Sequence, residues 1–180
     1  NQTFFPQTGS KTFWQYWSAT TYAGSASEAW QTTSEGGSQK TSKVGAYYVR
    51  CVRENSETSL FVDNQNETVT DTTTNLTWQQ EDDNVPKSWE NAISYCENLT
   101  LDNQSDWRLP NIKELETITD DTQSGPAVNL TLFPNTDNFA YWSSTAHSTY
   151  TGTVAFATNM PFGLDVSAPS HYEYYVRCVR

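Results

Sequence analysis

Cysteines are the residues here with the clearest chemistry, and there are three, Cys51, Cys96 and Cys178. Cys51 and Cys178 sit at matching places in one phrase, Tyr-Tyr-Val-Arg-Cys-Val-Arg, which occurs at Tyr47 to Arg53 and again at Tyr174 to Arg180. Cys96 has no counterpart. The natural disulfide therefore joins Cys96 to Cys178, closing a loop of about 80 residues and contributing roughly 4 kcal/mol by the chain-entropy argument. Cys51 is then odd, its mate falling ahead of Asn1 in the repeat. An odd cysteine in an extracellular-type chain points to truncation or to pairing between molecules. The alternative is three reduced thiols in a cytosolic protein.

Other reactive groups are sparse. His147 and His171 fall in expected loops without companions at ligand spacing, which makes them surface histidines rather than metal or triad residues. Glu81, Asp82, Asp83 and Asn84 present hard oxygen atoms, as do Asp120 and Asp121. Consecutive acids more often form a solvated loop, and neither run has the spaced ligands of a dedicated calcium loop. Asp82 and Asp83 are the weak calcium candidates, and no cofactor is expected.

The elements that must position these groups follow from the repeat. Phe5-Pro6-Gln7-Thr8 answers Phe133-Pro134-Asn135-Thr136, and Tyr16-Trp17-Ser18-Ala19-Thr20 answers Tyr141-Trp142-Ser143-Ser144-Thr145. Residues 54–180 read as one complete unit, and residues 1–53 as the back half of another. Within the complete unit, Ser59 to Val62 and Thr68 to Val69 flank a polar turn and predict a hairpin, with Leu76 to Trp78 a further strand. Ser88 begins a helix that places Trp89, Ala92, Ile93, Cys96 and Leu99 on one face. Asn111 and Glu114 have capping-box spacing for a second helix carrying Ile112, Leu115 and Ile118 inward. Strands are expected at Tyr141 to Ser143, Val154 to Ala157 and Tyr174 to Val179. In the last of these Arg177 should be half-buried and paired with a carboxylate. Trp78, Trp89, Trp107 and Trp142 are expected in the core. The sum is an α+β domain with two helices, tied from the first helix to the final strand.

Composition narrows the partners. Ten Lys and Arg against 21 Asp and Glu leave a net charge of −11, which disfavours nucleic acid, sulfated glycans and anionic membranes at long range. No run of 18 apolar residues spans a membrane. Asn-x-Ser/Thr triplets begin at Asn1, Asn66, Asn75, Asn98, Asn103 and Asn129, though matches by chance are expected in a chain rich in Asn and Thr.

Three motifs in order, Trp107-Arg108-Leu109-Pro110-Asn111-Ile112-Lys113-Glu114-Leu115, Tyr141-Trp142-Ser143-Ser144-Thr145 and Tyr175-Val176-Arg177-Cys178-Val179-Arg180, resemble the C-terminal domain family of the Legionella collagen-like adhesin. The likeness covers residues 54–180, and residues 1–53 resemble its second half. Trp-Arg-Leu-Pro-x-x-x-Glu is also similar to the formylglycine-generating enzyme and C-type lectin-like superfold, in which a helix-to-last-strand disulfide recurs. The resemblance implies a C-type lectin-like fold with a short-stranded, mostly antiparallel sheet. It also implies a bacterial protein that is extracellular or at the cell surface, some relatives being glycan-binding adhesins. With this charge, a neutral glycan or a protein is the better partner. An enzyme of the formylglycine-generating branch would need a reactive cysteine pair, and the pair available here is the structural one, so the expectation is a non-catalytic module. Ligand contacts are expected in the long polar stretch from Ala146 to His171, at Tyr150, Asn159, Asp165 and His171. Trp14, in an insertion the second copy lacks, is a further contact candidate. A rival from another class is a filament or sheath subunit that self-associates through residues 1–53, since an open strand edge templates pairing.

Overall fold

The computed structural model describes residues 15–33, 38–51, 60–120, 122–147, 154–160 and 164–180. The chain divides into two compact units, Asn1–Glu54 and Asn55–Arg180.

In the first unit β1 (Gln15–Thr21), β2 (Glu28–Thr33) and β3 (Ser38–Ser42) form an antiparallel sheet in that order. Thr and aromatic side chains, which suit a pleated surface, dominate β1 and β2. The central strand buries Ala29, Trp30 and Gln31, and Trp30 meets Tyr22 edge to face at 5.7 Å. The β1–β2 register shifts between Trp17 and Thr21. The chain then returns beside β1, where Trp17 N donates to Tyr48 O at 2.9 Å and Tyr48 N to Gln15 O at 3.0 Å.

The second unit opens with β4 (Phe61–Asp63), β5 (Thr68–Asp71) and β6 (Thr77–Gln79), a second antiparallel sheet. Its turns are made by side chains acting locally: Asp63 Oδ1 accepts from Gln65 N, and Asp71 Oδ1 from Thr73 N, both at 2.8 Å. Such Asx turns compete with helix and favour tight reversals. Next comes α1 (Trp89–Glu97), entered through extended Ser88, with Ala92 and Cys96 buried. α2 (Ile112–Thr117) starts at a full capping box, in which Glu114 N donates to Asn111 Oδ1 at 3.0 Å and Asn111 N to Glu114 Oε2 at 2.8 Å. Finally β7 (Ala140–Ala146), β8 (Val154–Asn159) and β9 (Leu164–Pro169) form a third antiparallel sheet, with a register shift between Trp142 and Ala146.

Two hydrophobic clusters fill this unit. One joins Ala92 and Cys96 of α1 to Trp107, Leu109, Trp142 and Val176. The other gathers Val69, Trp78, Leu115, Phe133, Tyr141, Met160 and Val179. Trp78, Trp107 and Trp142 are buried, and Trp89 is partly buried against the first cluster. Cys96 and Cys178 form a disulfide with an S–S distance of 2.04 Å.

The α+β, C-type lectin-like expectation is overturned: the fold is mostly β, with three small antiparallel sheets and two short helices among the described residues. The helices have only nine and six residues. α2 stops in the β-branched run Thr117-Ile118-Thr119, where Thr117 Oγ1 donates back to Glu114 O and Thr119 Oγ1 to Glu116 O, both at 2.7 Å. Such side chains are poor helix formers and bond the backbone locally. The closing segment is not a continuous strand either. Lys87↔Tyr174, Tyr141↔Tyr175, Trp78↔Val179 and Arg108↔Val179 are isolated bridges. The segment stitches sheets and loops together instead of extending one ladder, so the sheets stay separate.

Candidate functional site

Arg177 organises the interior of the second unit. Its side chain is fully buried, not half-buried, because the carbonyls of Gln79 and Gln80 and the hydroxyl of Thr136 all accept from its guanidinium. Asp82 is the carboxylate partner, with Nη2 to Oδ2 at 3.4 Å. Tyr141 Oη donates to the same Oδ2 at 2.5 Å and accepts from Asp137 N at 2.8 Å. The guanidinium also faces the rings of Phe133 and Tyr141, 5.1 and 5.8 Å from their centroids. Burial pushes the Tyr141 phenol well above its usual range; Arg177 opposes this shift and Asp82 adds to it. A charge this deep is tolerable only when paired and hydrogen-bonded.

The three sequence motifs converge on structural tasks. Arg108 grips Glu114 with two hydrogen bonds, 2.7 and 2.8 Å. Thr145 Oγ1 accepts from Ile112 N at 3.0 Å, and Ser144 N donates to Pro110 O at 2.7 Å. Trp142 Nε1 donates to Lys87 O and Trp89 Nε1 to Ser143 O.

The described candidate residues of the second unit lie on different elements. Trp14 and Tyr150 lie outside the described residues. Asn159 and Asp165 are in strands: β8 and β9 lie within the Ala146 to His171 stretch, pairing Asn159 with Leu164 and Asp165 with Thr158. Alternating apolar residues such as Ala155 and Ala157, both buried, favour strand there. His171 is exposed, with its ring 5.1 Å from Tyr172. Asp82 is taken by Arg177 and Tyr141, and Asp83 accepts from Lys87 Nζ at 2.8 and 2.6 Å. No group of three or more His, Cys, Asp or Glu that could hold a metal occurs among the described residues. Cys51 is a free, exposed thiol.

A surface that the sequence reading missed lies beside His171. Phe139 and Tyr172 are 51% and 49% exposed. Both rings stand edge-on to Tyr174, at 5.7 and 6.4 Å. Tyr174 in turn lies on buried Trp142 at 4.5 Å. Its backbone is clamped by Lys87, with N to O distances of 2.8 and 3.0 Å in the two directions. Burial, with Tyr172 beside it, raises the Tyr174 phenol. The result is a row of aromatic rings and phenols whose middle ring is seated on Trp142 and whose backbone is tied to Lys87. Alternation of Tyr172 and Tyr174 around Glu173 was the signal in the sequence.

A separate surface cleft of about 350 Å³ is lined by Asp120, Gln123, Gly125, Pro126, Asn129 and Thr131 among others. Its polar groups serve their own turns: Asp120 Oδ1 accepts from Thr122 N at 3.0 Å, and Asn129 Oδ1 from Thr131 N at 2.9 Å.

No helix among the described residues is long and apolar enough to cross a membrane. Comparison with curated proteins finds no match. Comparison with protein families finds the Lcl C-terminal domain over residues 67–180, from β5 and its preceding turn to the last residue. That stretch contains the gripped Arg108, the Asn111 capping box of α2 and the buried Arg177, and with it the chain belongs to the Lcl C-terminal domain family.

Proposed function

We propose that the second unit is a recognition module of an extracellular or cell-surface adhesin, and that it binds an uncharged glycan through the row Phe139, Tyr174 and Tyr172 with His171 at its end. The observation that carries this reading is the exposure of Phe139 and Tyr172 beside a Tyr174 locked onto Trp142. Exposed apolar rings clustered together mark a binding surface rather than a scattered residue. Aromatic faces with polar tips supply contact area at low entropic cost, and the phenols and His171 add hydrogen bonds. Net charge of −11 supports a neutral ligand over a polyanion.

The test is a glycan array probed with the 180-residue protein and with Phe139→Ala and Tyr172→Ala. Binding to a neutral glycan that falls roughly tenfold or more in both variants, with stability within about 0.5 kcal/mol of the parent, is expected. A blank array together with a protein captured through the same two residues would replace the glycan by a protein ligand. Adhesion unchanged by both substitutions would overturn the reading.

A further inference from the structure

The back half of the repeat occurs twice, and its two copies make the same internal contacts. Trp17 N and Tyr48 N bond Tyr48 O and Gln15 O at 2.9 and 3.0 Å; their counterparts Trp142 N and Tyr175 N bond Tyr175 O and Ala140 O, both at 3.0 Å. Trp17 meets Tyr47 at 4.8 Å, as Trp142 meets Tyr174 at 4.5 Å. Both β1 and β7 shift register just after that Trp. Arg50 lies over Tyr16 at 5.4 Å, and Arg177 over Tyr141 at 5.8 Å.

What differs is the covering. In the second unit the front half supplies it: Gln79 N donates to Cys178 O, Thr77 N to Arg180 O and Arg108 N to Val179 O, at 2.8 to 3.0 Å. Asp82 meets Arg177, and Cys96 bonds Cys178. Val176 is thus 1% exposed, and Tyr141, Trp142 and Ser143 are fully buried. In the first unit Val49 is 67% exposed, Tyr16 and Trp17 are only half-buried, and Ser18 and Cys51 are exposed. Among the described residues, Ser18, Val49 and Cys51 are exposed where their counterparts Ser143, Val176 and Cys178 are buried.

We infer that the Tyr47–Cys51 edge of the first unit is a docking site for another front half of this same repeat. The segment would carry a strand like β6, an acid at the place of Asp82, a helix like α1 with an inward cysteine, and a Trp-Arg-Leu-Pro turn, and would come from a further repeat of a tandem polypeptide. A second copy of these 180 residues cannot saturate the site. Each 180-residue chain holds one front half and two back halves, and that front half is already engaged, with Cys96 spent on Cys178. Docking brings the new cysteine to Cys51. The bond then forms by exchange with a small-molecule or protein disulfide: Cys51 thiolate attacks it and releases one thiol, and the second cysteine's thiolate attacks Cys51 Sγ and releases the other. Two protein thiols become one disulfide, and the oxidant's disulfide becomes two thiols.

The test joins a second copy of residues 54–132 ahead of Asn1 of the full chain and refolds it with oxidised glutathione. Expected are no free thiol, a Cys51-to-Cys96-type linkage in the non-reduced digest, and a retained Cys178 linkage. With the added copy's Cys96→Ser, Cys51 should alkylate roughly tenfold slower than in the 180-residue chain, because a packed edge opens only transiently. Adding Val49→Asp should restore the fast rate, while the same change in the 180-residue chain leaves its melting temperature unmoved. Unchanged alkylation of Cys51, or Cys51–Cys51 dimers in place of the intramolecular bond, would overturn the proposal. Should the disulfide map of the extended chain come out scrambled, a drop in melting temperature from Val49→Asp in the 180-residue chain decides against an open edge.

Discussion

Arg177 Nη2 stands 3.4 Å from Asp82 Oδ2, across 95 residues of sequence, with the two side chains 0% and 1% exposed. Removing one member of such a pair strands a charge, whereas the net value of an intact pair is small. Asp82→Ala is expected to cost about 3–5 kcal/mol in urea unfolding. A loss below about 1 kcal/mol would mean that the carbonyls of Gln79 and Gln80 suffice to hold the guanidinium.

Tyr141 shares that carboxylate. Tyr141→Phe removes a donor to Asp82 and an acceptor for Asp137 N, with a loss of about 1–3 kcal/mol expected. In the parent, an ultraviolet titration should show a late tyrosine step that coincides with alkaline unfolding and includes Tyr141, since burial raises its phenol. Phe at position 141 should diminish that late step.

Glu114 gives a pH dependence of definite sign. Arg108's hydrogen bonds, aided by Asn111 N, hold its carboxyl below the ordinary value of 4.5, although desolvation opposes them. The folded pKa is lower than the unfolded one. Its contribution is therefore present above the unfolded value and lost as pH falls through the folded one. Glu114→Gln should lower the melting temperature at pH 7 and flatten its fall between about pH 5 and pH 3. Parallel curves for parent and variant would remove Glu114 from the acid transition.

Reduction of Cys96–Cys178 releases a loop whose ends are 82 residues apart. Cys96→Ser with Cys178→Ser should cost roughly 4 kcal/mol by loop-closure entropy, read as a lower urea midpoint with a slope that is steeper because the released denatured chain exposes more surface. Because both sulfurs are fully buried, the parent's bond should resist mild reductant until the unit unfolds.

Local chemistry was legible. Asp63 to Asn66 announced a hairpin, Asn111 and Glu114 a capping box, and the repeat singled out the two cysteines the structure joins. Sheet partition was not legible, because it depends on where Arg177 must go. A run such as Tyr-Tyr-Val-Arg-Cys-Val reads as strand by pattern, but its arginine needs the carbonyls of Gln79 and Gln80 and the Asp82 carboxylate, so the segment bridges rather than extends a sheet. The aromatic row escaped for a related reason. Phe139 and Tyr172 have core-type side chains, and only tertiary packing decides that they face outward. Asn159 and Asp165 fall in a polar stretch of sequence in which Pro161 and Gly163 read as turn signals, so the pairing of β8 with β9 is not evident from pattern alone.

The position of the disulfide also has a mechanical meaning. Were the second unit pulled from Leu60 and Arg180, the pairs Thr77–Arg180 and Gln79–Cys178 would meet the load first, and tension would then pass straight through Cys96 and Cys178. Only the chain ahead of Cys96 can pay out, about 120 Å at full extension. The 82-residue separation beyond it, equivalent to about 290 Å of slack, is short-circuited. The aromatic row at Phe139 and Tyr172 lies inside that shielded loop, so a stretched tether reaches it through Lys87, whose backbone bonds to Tyr174 lie on the chain that pays out.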